Sequence, residues 1–307
     1  MAAPAQRTPS TGEISAEALI RLESPFVLAL SPLRRRLHDL VGRLVLALQP
    51  ALTTQFEAGI GASSAVERMA LAALVERYRA RDQLDRLAAL HLDFWSGPAA
   101  LSYHALTHSR FERVFRARHH AIIAPLQDAA AVIGAHGLVE IGCGSGQLLD
   151  YLVAQLPQLE RLVGLDLNAD QVALNRRRAN DSRIEYHCAE ATAWIAEHAQ
   201  PGWIWVCNGG VLEFFTEESV VAMLRHCGRH APAVFALVEP LADDFDPDTQ
   251  LTSRRFGREL TLSHPYPRLL GDAGFAEVWR SECRAMGYRW LMLVAQCQEP
   301  EKRLGHT

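Results

Sequence analysis

The residues best suited to chemistry lie in Gly-Leu-Val-Glu-Ile-Gly-Cys-Gly-Ser-Gly-Gln-Leu-Leu-Asp, residues 137–150, where Gly142, Gly144 and Gly146 alternate with other residues just after Glu140. Glycine is needed where a backbone takes positive φ or lets a ligand within contact distance, and a helix starting near Ser145 would aim its free N–H groups at that ligand. Such a turn suits a nucleotide-like cofactor. A dinucleotide fingerprint, G-x-G-x-x-G, would need glycine at position 147, which is Gln147. The pattern present is E-x-G-x-G-x-G. Glycines also serve helix–strand packing, so support must come from elsewhere in the chain.

Three further stretches carry polar residues at chain reversals. Val163-Gly164-Leu165-Asp166-Leu167-Asn168 places Asp166 twenty residues beyond Gly146, where an acidic side chain in nucleotide-binding folds accepts from ribose hydroxyls. Asn168 reads as a helix N-cap. Cys188-Ala189-Glu190-Ala191 offers a carboxylate that is either a ligand contact or a first-turn helix residue favoured by the dipole. In Cys207-Asn208-Gly209-Gly210-Val211-Leu212-Glu213-Phe214-Phe215, Glu213 either orients or deprotonates a substrate or merely starts a helix. Of thirteen histidines, His104, His108, His119 and His120 cluster in one segment and His264 sits in Ser263-His264-Pro265-Tyr266-Pro267. His264 and His104 rank first as general bases. Tyr103 either covers a cofactor or packs in a core.

The elements that must position these residues fall into two regions. From Glu13 to His120 the apolar residues follow helical spacing: Leu37, Leu40, Val41, Leu44 and Leu48, then Val66, Met69, Leu74 and Tyr78, then Leu84, Leu87, Leu90 and Phe94. Pro50, Gly59-Ile60-Gly61 and Trp95-Ser96-Gly97-Pro98 punctuate them. A long helix is predicted over 110–131. Strands and helices then alternate, with strands at 138–141, 161–166, 183–188, 203–208 and 233–238, which forces a parallel sheet with helices on both faces. The tail differs: a helix over 267–273 ends at Gly274, and two β-rich runs, 275–283 and 288–296, make an antiparallel hairpin. The expected fold class is a doubly wound α/β sheet behind an α-helical N-terminal region. The expected divisions are a tail over 1–14, a helical cap or dimerisation region over 15–109, and a cofactor-binding domain over 110–300.

In their order, the four motifs resemble those of the class I S-adenosylmethionine-dependent methyltransferases. The resemblance spans residues 110–296 and includes Asp272-Ala273-Gly274-Phe275, similar to the family's phrase before its final hairpin. It implies seven strands, mostly parallel, and S-adenosyl-L-methionine as cofactor. The implied cofactor-binding residues are Glu140, Gly142, Gly144, Gly146, Asp166, Leu167, Glu190, Ala191, Asn208 and Gly209, with Tyr103 as an aromatic cover. Within that set Glu140 would face the methionine amino group, Asp166 the ribose, and Glu190 the adenine amino group, with Glu standing where the family more often has Asp. In this fold the segment holding His264 overhangs the acceptor pocket. The [D/N/S]-P-P-[Y/F] motif of nucleobase amino-methylases is missing after the fourth strand, which argues against that chemistry.

Composition limits the acceptor. The chain has 307 residues and a net charge of −4; fifteen basic and eleven acidic residues precede position 121, and sixteen and twenty-four follow. An acidic cofactor region disfavours a polyanionic acceptor such as nucleic acid. The longest basic runs, Arg34-Arg35-Arg36 and Arg176-Arg177-Arg178, fall on predicted helices and read as solvated faces. Six cysteines show neither C-x-x-C spacing nor a zinc pattern, so no metal is expected. No membrane span and no apolar leader are seen, which points to a cytoplasmic protein. The leading expectation is therefore methyl transfer to a small-molecule acceptor of specialised-metabolite type. Alternatives are a protein or RNA methyltransferase, or an S-adenosylmethionine-binding protein that does not methylate. Residues 84–115 are expected to line the acceptor pocket, with Trp95, Tyr103 and His104 nearest the sulfonium; earlier helices would pack this cap or pair subunits as a homodimer.

Overall fold

A computed structural model of the chain describes residues 32–298 apart from 63 and 258–260; the polar start read as a tail lies outside them. Five helices come first: α1 (Pro32–Leu48), α2 (Ala51–Glu57), α3 (Ala65–Ala80), α4 (Leu84–Ser96) and α5 (Pro98–Thr107). Ser64 caps α3 through a full capping box with Glu67, which satisfies two N–H groups the helix itself leaves open. Between α4 and α5 the chain breaks at Gly97, because an added Cβ would lie 2.6 Å from the Gly59 carbonyl oxygen and 2.7 Å from that of Asp93. Pro98 then starts α5 at no hydrogen-bond cost. Phe56 of α2, Leu74 and Tyr78 of α3, and Leu87, Leu90 and Phe94 of α4 belong to a core separate from those of the sheet.

Beyond it stands a seven-stranded sheet. Its strands are β1 (Gly137–Ile141), β2 (Arg161–Asp166), β3 (Ile184–Cys188), β4 (Trp203–Asn208), β5 (Ala233–Leu241), β8 (Ala276–Ala285) and β9 (Tyr288–Cys297), in the order β3-β2-β1-β4-β5-β9-β8. β1 to β5 run parallel; β9 is antiparallel to both β5 and β8. Side chains alternate between the two faces. Val139, Val163, Trp205, Phe235 and Leu293 pack one core with α10 (Ala191–His198), α11 (Glu217–Arg229) and α12 (Tyr266–Asp272), and Leu138, Leu162, Ile204, Val234 and Val294 pack the other with α7 (Ile123–Val132) and α8 (Gln147–Gln155). At about 1.5–3 kcal/mol for each fully buried aliphatic or Phe side chain, these two cores hold the sheet.

The structure adds to or departs from the sequence reading in three places. The helix predicted over 110–131 is one path with three windings: a π segment α6 (Phe111–His119), a 3-10 turn (His120–Ile122) and then α7. Pro125 explains the restart, since a mid-helix proline lacks an N–H and clashes with the preceding turn, whereas here it falls in the first turn of α7. The α1 stripe does not face inward. Leu37, Leu40, Leu44 and Leu48 are 57–73% exposed, because α1 docks through Gly42, whose bare Cα meets the Met69 backbone and the Ala73 side chain of α3. Finally, β6 (Arg254–Phe256) and β7 (Thr261–Ser263) form a small antiparallel pair between β5 and α12 that three-residue strands gave no pattern to reveal.

Candidate active site

Where β1, β2 and β4 end, the chain must turn into helices, and the glycines make the first of these turns possible. Gly142, Gly144 and Gly146 have φ of +68°, +47° and +74°, values that cost side-chain-bearing residues strain. Space is limiting too, for a Cβ on Gly144 would lie 2.9 Å from the His104 ring. Asp166, at the end of β2, accepts from the Gly144 N–H at 2.8 Å and from the Asn168 N–H at 2.9 Å. The α9 helix (Ala169–Arg178) adds a buried amide chain: Gln171 donates to Asn175 at 2.8 Å, and Asn175 donates to the Gly144 carbonyl at 2.7 Å. Asn168 caps α9 through Gln171 N–H at 2.9 Å and donates to the Gly97 carbonyl at 2.6 Å, tying the helical layer to the loop.

Above these strand ends lies a cavity of about 570 Å³. Its floor includes Glu140, Gly142, Gly144, Asp166, Leu167, Glu190, Ala191, Asn208 and Gly209, and its roof includes His91, Leu92, Trp95, Tyr103 and His104 from α4 and α5. Thus the two regions meet at one space. Trp95 contacts Tyr103 and Phe214 edge-on, at centroid distances of 5.6 and 5.4 Å. The Tyr103 hydroxyl accepts from Arg110 at 2.6 Å, and the guanidinium also lies over the Tyr103 ring. Burial lowers the pKa of His104, with Arg110 adding to this and Asp166 opposing it.

Glu140 tests whether these residues fit the implied cofactor. The residue is 3% exposed, one carboxylate oxygen, Oε2, has no hydrogen-bond partner among the described residues, and burial, with the nearby Asp166 charge, holds the carboxyl well above the usual range. A buried acceptor left unmade costs about 1–3 kcal/mol, so a cationic amine at this point would satisfy it. The amino group of S-adenosylmethionine fits that description. Asn208 brings to the same cavity a second buried oxygen, Oδ1, that has no hydrogen-bond partner among the described residues.

Other candidates are placed differently. Glu190 spends its two oxygens on the Thr192 and Ala193 amides, at 2.9 and 2.7 Å, as the N-cap of α10. His264 is not in the cavity wall: it is fully buried, its Nε2 lies 2.9 Å from the Leu212 carbonyl and its Nδ1 2.6 Å from the Ser253 hydroxyl. Burial lowers it to about 4, so it is a neutral clamp under the turn rather than a base facing substrate. Glu213 does line the cavity, in the 3-10 turn Leu212–Phe214. Sequence reading missed Glu239. This fully buried residue of β5 accepts from the Val211 and Glu213 amides at 3.0 and 3.3 Å, and only the fold brings it beneath the Gly209–Glu213 turn. Among the described residues no group of three or more His, Cys, Asp or Glu is placed to hold a metal ion, and no helix is long and apolar enough to cross a membrane.

Residues 138–232 match the model of a family described as a methyltransferase domain. No curated protein matches the chain. Similar solved structures include magnesium protoporphyrin IX methyltransferase from Synechocystis PCC 6803 with bound S-adenosylmethionine (14% identity, 69% of this chain and 97% of that one, TM-score 0.48). The N-methyltransferase NodS from Bradyrhizobium japonicum WM9 is another (16%, 60% and 97%, 0.45), and the [4+2]-cyclase SpnF a third (15%, 57% and 80%, 0.42). They say nothing of the acceptor used here.

Proposed function

We propose that this chain, a class I S-adenosylmethionine-dependent methyltransferase by its domain match and its sheet order, methylates a small molecule held between the sheet ends and the helices α4 and α5. One observation carries the reading: a single cavity of about 570 Å³ is walled both by the loop after β1 and by the helical layer. That volume lies in the range of small-ligand sites.

When bound, the cofactor supplies an electrophilic methyl group on a sulfonium. The chain's own part is alignment and the exclusion of water. In this reading Glu140 receives the amino group, Asp166 the ribose and the amides near Glu190 and Ala191 the adenine edge, while Gly209, where a Cβ would meet no heavy atom of the described residues within 4 Å beyond its chain neighbours, leaves room beside the methyl. Trp95, Tyr103 and His104 close the roof. The alternative of a nucleic-acid acceptor gains no support from Arg176, one of the α9 arginines, which donates to the Tyr186 carbonyl. Calorimetry with S-adenosylmethionine and S-adenosylhomocysteine, followed by an acceptor screen read as S-adenosylhomocysteine release, tests the proposal. Binding of both with turnover on a small molecule is expected; turnover only on protein or RNA would overturn it.

A further inference from the structure

We infer that His119 recognises a hydroxyl on the acceptor, and that the acceptor carries no negative charge and has a flat, largely apolar body. The inference rests on the reading that a small molecule binds in this cavity, and deepens it. His119 closes the π segment α6; it is 2% exposed, lines the cavity, and its Nε2 has no hydrogen-bond partner among the described residues. Its ring is held in place, tilted on Trp290 at a centroid distance of 5.0 Å. Trp290 is itself fixed by donating to the Ala285 carbonyl at 2.9 Å.

This wall is separate from the one the cofactor motifs build. Trp290 lies on β9, opposite Pro240 of β5, and two strands, β4 and β5, stand between β9 and β1. At roughly 4.8 Å per strand the offset from β1 is about 14 Å, room for a second molecule beside the first. Phe115, Met286, Tyr288 and Trp290 line the same cavity as His119, and the aromatic faces among them favour a flat apolar body. Burial lowers the imidazole to about 4, so the ring is neutral near pH 7, with one nitrogen donating and the other accepting. A hydroxyl meets that ring whichever nitrogen holds the proton, because it donates and accepts. An anionic acceptor is poorly served. Among the described residues lining the cavity Arg110 is the only Arg or Lys, and it is engaged with Tyr103, whereas Glu140, Asp166, Glu190 and Glu213 are acidic.

The test uses the full chain saturated with S-adenosylhomocysteine and three probes: 2-naphthol, 2-fluoronaphthalene and naphthalene-2-carboxylate, titrated by ligand-observed NMR. The wild-type complex should bind 2-naphthol about tenfold tighter than the other two, the scale of one hydrogen bond to a buried group. In His119→Phe that preference should vanish, with 2-fluoronaphthalene binding at least as well as before and S-adenosylhomocysteine affinity unchanged. If His119→Phe fails to fold, His119→Met makes the same comparison. A preference that survives the folded variant, a wild-type preference for the carboxylate, or no binding of any probe to the S-adenosylhomocysteine complex would each overturn the inference. Failure of the wild type to bind S-adenosylhomocysteine would instead overturn the cofactor reading beneath it.

Discussion

Asp166 holds two backbone amides at once, those of Gly144 and Asn168, and so shapes the loop that it also shares with the cavity. Asp166→Ala should therefore weaken S-adenosylhomocysteine binding by about 1.5–3 kcal/mol, the worth of a hydrogen bond to a charged group, as read by calorimetry on a variant that still melts cooperatively. Unchanged affinity would move the ribose contact elsewhere. Gly144→Val meets two obstacles, a φ of +47° and the His104 ring 2.9 Å from the new Cβ; it should lose cofactor binding altogether and lower the melting temperature. At this scale the sequence was most readable where chemistry acts through the backbone. Glycines at every second residue betray a turn because few other residues can make it, and Asn168 betrays a cap because its side chain bonds its own helix. Glu239 and His264 were not readable in that way. Glu239 meets amides 26 and 28 residues away, and His264 meets partners 11 and 52 residues away, and no local spacing records a contact that only the folded chain creates.

The turn Gly209–Glu213 is an element whose shape depends on one buried carboxyl. Burial raises Glu239 to about 7, although three backbone amides act to lower it. A carboxyl whose folded pKa exceeds its unfolded value binds its proton more tightly when folded, so its effect on stability worsens as pH rises from about 4.5 to about 7 and then levels off. Over that window the loss is on the order of 3 kcal/mol. Relative to Glu239→Gln, whose amide does not titrate, wild-type stability in urea should thus decline from pH 5 to pH 8; parallel pH profiles for the two proteins would show that the carboxyl does not titrate in this range. The elements themselves were legible wherever a period ran long enough: the predicted starts and ends of β2 and β4 coincide with those observed. The same logic left the facing of α1 open. Its leucine stripe has helical period, but a period says which residues share a face and not which face is covered, and the close approach at Gly42 decided that.

For the molecule as a whole, the question is what the first helices contribute to a reaction that occurs at the sheet. α3 presents Leu74 and Tyr78 to a core it shares with Leu87, Leu90 and Phe94 of α4, while both sheet cores are built without α1 to α5. Removing residues 1–80 would uncover that α4 face, at a cost of about 1.5–3 kcal/mol for each apolar side chain returned to water, and α4 would no longer be held against the cavity. α5 retains its own anchor, the bond from Asn168 to Gly97. The truncated chain should therefore keep a folded sheet by circular dichroism and hold S-adenosylhomocysteine within about tenfold of the full chain, because the loop and Asp166 are intact, yet lose turnover as Leu92 and Trp95 leave the roof. Light scattering on the same sample reports assembly, since α1, with its exposed Leu37, Leu40, Leu44 and Leu48, goes with the deletion. Full turnover with only a changed mass would assign α1 to α3 to subunit pairing and detach them from catalysis. Lost turnover at unchanged mass and near-normal cofactor affinity would place their action at the acceptor, through the helix they hold down.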